Sequence, residues 1–78
     1  MIRSPKFFEV IFNDLRIYPD RAIVIEDHPK FIESALKSGA QVIQACVTGD
    51  FTSQYPFYVE NMNDLPNIID NLIETLNL

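Results

Sequence analysis

Residues 21–47 read RAIVIEDHPKFIESALKSGAQVIQACV, and the fold follows from how this stretch divides. Ala22 to Ile25 is an unbroken apolar run rich in β-branched side chains, ending in Glu26 and Asp27. Such a run predicts a strand buried on both sides, as in parallel sheets. His28-Pro29 begins a helix through about Ser38: Pro29 is pre-set for the first turn, and Gly39 is placed as the C-terminal stop. Phe31, Ile32, Ala35 and Leu36 form its expected inner face. Gln41 to Val47 is then a second strand, and the three pieces make a βαβ unit whose crossover should be right-handed.

Working outward, Ser4 and Pro5 signal the start of a helix from about Pro5 to Leu15, with Ser4 as N-cap acceptor. Its apolar residues Phe7, Phe8, Val10, Ile11, Phe12 and Leu15 cover most of the circumference, more than one stripe requires. Beyond the second strand, Thr48 to Pro56 is polar and loop-like, and a short third strand is expected at Phe57 to Val59. Asn61 or Asn63 can cap a final helix that tolerates Pro66 in its first turn. There Leu65, Ile68, Ile69, Leu72, Ile73 and Leu76 form the cleanest helical stripe in the chain. The expected fold class is α/β: a partial Rossmann-like three-layer sandwich of two or three parallel strands and three helices, in a single domain over residues 1–78.

Composition narrows the function. With 78 residues, 47% hydrophobic, the chain has room for one domain, and at that size it buries only roughly 60% of its unfolded surface. Six Lys and Arg against eleven Asp and Glu give a net charge of -5, which offers no counter-charge to nucleic acid or an anionic membrane. No apolar run approaches the roughly 20 residues that span a bilayer, and the opening residues lack a signal-peptide apolar region, so a cytoplasmic location is expected. One cysteine and one histidine exclude an internal disulfide and a Cys/His structural zinc site.

Ligands in open parallel sheets bind beyond the carboxyl ends of the strands, where Glu26-Asp27-His28 stands before a helix N-terminus. Two readings of that triplet are open. Glu26 and Asp27 can both approach a hard cation such as Mg²⁺, with water and phosphate completing the octahedron. Alternatively Asp27 or His28 caps the helix while Glu26 faces solvent. His28 could act as an acid or base near a phosphate, although a cap or surface role is the simpler reading. Cys46 in its apolar strand reads as a small buried hydrophobe. Thr48-Gly49-Asp50 leaves the second strand at the same edge and could line a pocket or be a plain loop. Phe7, Phe8 and Phe12 read as core or protein contact rather than a ligand cage.

The run from Arg21 to His28, followed by Phe31 to Ile43, resembles the fourth motif region of haloacid dehalogenase-like (HAD) hydrolases. In that superfamily an apolar strand ends in an acidic pair that helps hold Mg²⁺, and the next helix closes on small residues and glycine before another strand. Pro5-Lys6-Phe7-Phe8 resembles the start of the preceding helix, and Tyr58 to Leu65 the last strand-to-helix segment, so the similarity spans about Pro5 to Leu76. It implies Mg²⁺ held by Glu26 and Asp27, and small phosphorylated molecules as substrates of a completed site.

The resemblance reaches only the C-terminal part of the family's core. The family's nucleophile lies in an Asp-x-Asp pattern, and this chain contains none. The strand carrying the phosphate-binding Ser or Thr is also unmatched. Aligning the family's Lys-Pro-x-Pro on Pro5 puts Ile2 at the lysine and Arg3 at the first proline, so Arg3 or Lys6 could substitute only by charge. Covalent phosphoryl transfer needs a nucleophile, an acid and a metal clamp, which makes the expected function a HAD-like phosphohydrolase fragment or truncated homologue, inactive alone. The alternative is a non-catalytic interaction module that dimerises through an open strand edge and its first helix. A receiver-like domain lacks its early acidic strand here. In the family the acidic strand lies beside the nucleophile strand, so Ala22 to Ile25 should be a bare edge. A homodimer, a domain swap or a separate N-terminal HAD half would complete it.

Overall fold

A computed structural model describes residues 4–46 and 54–78 of the chain. Helix α1, Pro5–Leu15, starts on Pro5 as expected, but Ser4 makes no side-chain cap; its carbonyl instead accepts from the Phe7 N–H at 3.0 Å. Phe8 and Phe12 are buried, stacked with ring centroids 6.3 Å apart, while Val10 and Leu15 remain exposed. The phenylalanines are therefore core. A single 3₁₀ turn, Pro19–Arg21, leads into strand β1, Ile23–Glu26.

Helix α2, Pro29–Lys37, has His28 as its N-cap, with Nδ1 accepting the Lys30 N–H at 3.2 Å. A Schellman turn closes it: the Gly39 N–H reaches the Leu36 carbonyl, the Ala40 N–H reaches that of Ala35, and Gly39 takes φ +96°. Ile32 and Ala35 are fully buried, which stabilises by about 1.5–3 kcal/mol for a side chain the size of isoleucine. Leu36, expected on the inner face, points to solvent instead. Strand β2, Gln41–Ala45, and the short strand β3, Tyr58–Val59, complete a sheet of order β1-β2-β3 in which both pairings are parallel. Asn61 caps a 3₁₀ turn, Met62–Asp64, through its Oδ1 and the Asn63 N–H, and helix α3, Leu65–Leu76, follows with Pro66 in its first turn.

The period-two alternation of the strands sorts the core into two layers. Val24 and Val42 pack with Phe8, Phe12, Ile32 and Ala35 beneath α1 and α2. Ile23, Ile43, Ala45 and Val59 pack with Leu72, Ile68 and Ile69 of α3 on the opposite face. The molecule is thus the expected three-layer α/β sandwich with three parallel strands and three helices. One expectation needs correction: β1 is not buried on both sides, because it is an edge strand, and Ile25 is 40% exposed. Val47 of the expected second strand lies outside the described residues.

Candidate functional site

The carboxyl ends of β1 and β2 bring Glu26 opposite Gln44, both two residues beyond the valines that face α1 and α2. Glu26 is buried at 7% exposure, not turned to solvent, and its Oε2 accepts the Asp27 N–H at 2.9 Å. A carboxylate withdrawn from water requires such compensation, and a hydrogen bond to a charged acceptor is worth about 1.5–3 kcal/mol. Asp27 is half-buried beside it. His28 caps α2 and tilts its ring against Phe31, with centroids 5.0 Å apart, and both of these contacts are structural. Of the cap reading, His28 supplies the cap as expected, but Glu26 is buried and does not face solvent; Glu26 and Asp27 stand together at the sheet's carboxyl edge.

Gln44 is a site residue that the sequence reading passed over. It is fully buried, and its Oε1 accepts the Gln54 N–H at 2.9 Å. The signal was an amide side chain within the otherwise apolar run from Val42 to Val47, on the same face as Val42. Through it, Gln54 is tied to the strand next to Glu26. Cys46 is buried as expected, with its N–H on the Val59 carbonyl at 2.8 Å. Burial, and secondarily the negative charge of Glu60, push its thiol above the ordinary range.

The donor set can be tested against Mg²⁺. Two hard carboxylate oxygens groups at the carboxyl edge of a parallel sheet suit that ion in kind and position. In number they supply only two protein ligands and would leave water to fill the octahedron: among the described residues no group of three or more His, Cys, Asp and Glu could hold a metal. Thr48, Gly49 and Asp50 lie outside the described residues, as does Arg3. Lys6 is exposed and lines a shallow groove of about 400 Å³ along α1 with Glu9, Val10 and Pro19. A second cavity, of about 350 Å³, opens at β3 between Phe57, Val59, Glu60, Asp64 and Ile68. Neither cavity includes Glu26 or Asp27. Among the described residues no helix is long and apolar enough to cross a membrane.

No family model matches the chain, and no curated protein matches it. Among solved structures, it resembles a 2-haloacid dehalogenase from Pseudomonas syringae pv. Tomato DC3000 with a TM-score of 0.76 and 20% sequence identity. The match covers 90% of this chain and 32% of the dehalogenase, so the chain spans about a third of that protein's length. At this identity the likeness is one of fold: the sandwich built on β1, β2 and β3 is an α/β fold that resembles part of the dehalogenase.

Proposed function

We propose that this chain is the acidic-pair portion of a HAD-like phosphohydrolase site, in which Glu26 and Asp27 contribute to a Mg²⁺ centre that other groups must complete. The observation that carries this reading is the pair's position at the carboxyl end of a parallel strand in a haloacid dehalogenase-like fold. Asp27, half-buried at the rim, would be the more direct ligand. Glu26, braced by the Asp27 N–H, would set the local negative potential and the course of the chain into α2. When bound, Mg²⁺ would polarise a phosphoryl oxygen and neutralise developing charge. The sequence has no Asp-x-Asp nucleophile motif, so the chain alone should not hydrolyse phosphate esters; small phosphorylated molecules would become substrates only in a completed site. A cytoplasmic setting suits its single buried thiol.

The test is thermal unfolding of the full chain with millimolar Mg²⁺, compared with an Asp27→Asn variant. A ligand that binds only the folded state raises the midpoint, so Mg²⁺ should stabilise the parent chain and leave Asp27→Asn unmoved. The metal-free midpoints should agree, because His28, not Asp27, makes the cap. Equal Mg²⁺ response in both proteins, or none in the parent, refutes the reading. Turnover of 4-nitrophenyl phosphate by the chain alone would refute its inactivity.

A further inference from the structure

We propose that a second copy of this chain adds its β1 antiparallel to β1 about a two-fold axis at Val24, forming one continuous six-stranded sheet. The hydrogen-bond phase of the edge supports it. The Ala22 carbonyl accepts the Gln41 N–H at 2.9 Å, and Ile23 is the register partner of Gln41. In a parallel ladder this turns the backbone groups of Ala22, Val24 and Glu26 toward β2, and those of Ile23 and Ile25 away from it. Among the described residues no strand pairs with that outward side. Of the features that protect sheet edges, Ile23 to Glu26 has no Lys and no Pro; its one charge, Glu26, stands at the strand's last position, with its backbone groups turned toward β2.

Symmetry then selects the register. A two-fold axis normal to the sheet keeps every side chain on its own face, so facing residues must be both odd or both even in number. Centring on Val24 sets Ile23 opposite the partner's Ile25 on both sides of the axis. Both are outward-bonding residues, so each pair exchanges N–H and C=O bonds. The half-exposed Ile25 then gains an apolar neighbour on the face that α3 leaves open. The same register brings exposed Arg21 to the end of the partner strand where Asp27 stands. Centring on Ile23 or Ile25 instead sets one of the outward-bonding isoleucines opposite Arg21 or Asp27, and pairs the remaining charge with a proline. Charge complementarity and hydrogen bonding thus agree on one register. The inference does not depend on the metal reading.

The experiment uses the full chain in EDTA, so that a failed metal site cannot affect it. Sedimentation at micromolar concentration should show a dimer, and Ile25→Lys, at an already exposed position, should weaken it at least about tenfold. In a Cys46→Ala background, Val24→Cys should form an intermolecular disulfide on mild oxidation, because facing non-hydrogen-bonded residues lie within disulfide reach. Ile23→Cys and Ile25→Cys should not cross-link to themselves. A monomer in sedimentation overturns the proposal and leaves the edge to a strand from a different chain. A dimer insensitive to Ile25→Lys, or cross-linked as readily through Ile23→Cys, overturns it as well.

Discussion

On one face of the sheet, α1 and α2 bury Phe8, Phe12, Ile32 and Ala35 to 6% exposure or less; on the other, α3 buries only Leu72 to that depth, and Ile73 and Leu76 stand 38% and 40% exposed. Yet α3 carries the most regular apolar stripe in the sequence. The difference lies in what each helix meets. α2 contacts both α1 and the strands β1 and β2, whereas, among the described residues, α3 is the only helix over its face of the sheet. A stripe therefore records how much surface a helix offers for burial, while neighbours decide how much is taken up.

Truncation should separate the two faces most sharply at their centres. Ile32→Ala should cost about 3–4 kcal/mol in urea unfolding, since a cavity beneath two helices cannot collapse; the whole domain holds only about 4–12 kcal/mol. Leu72→Ala should cost less, about 2–3 kcal/mol, because α3 is free to settle inward. Equal losses would show the α3 layer to be as firmly packed as the other. Gly39→Ala should cost about 1–2 kcal/mol: an alanine at φ +96° is strained, and its Cβ would lie 3.2 Å from the Pro19 Cβ.

Two smaller effects refine the contrast. Cys46 should show a pH dependence at the carboxyl edge. Its folded thiol titrates above the unfolded one, so the stability it contributes is complete below the unfolded thiol's range, about pH 8.5, and is lost as pH rises through the raised folded value. Cys46→Ala should flatten that alkaline slope in unfolding midpoints. Ile73→Ala, on the uncovered flank of α3, should change stability by less than about 0.5 kcal/mol. A larger loss in a dilute sample would show that Ile73 is covered in solution.

Local signals made most of the architecture legible. Pro5, Pro29 and Gly39 mark helix ends through backbone constraints that act regardless of context, and the observed bounds of α1 and α2 follow them closely. The placement of the acidic pair at a strand's end was legible for the same reason. What could not be read locally was which partner each side chain would find. Glu26 turns inward because the next residue's N–H meets its carboxylate, and Leu36 turns outward because α2 touches its neighbours through Ile32 and Ala35. Gln44 meets Gln54, ten positions further along the chain, and no spacing rule announces that contact.

The bond from Gln44 to Gln54 also bears on the order of folding. The unit β1-α2-β2 consists of contacts close in sequence and can assemble early, but the Gln44 Oε1 meets Gln54 only when the chain returns to lay down β3. Docking of β3 and α3 should therefore be the late event, with Gln44→Ala accelerating unfolding far more than it slows refolding. One buried amide would then act as the latch that makes two successive assembly steps a single cooperative transition.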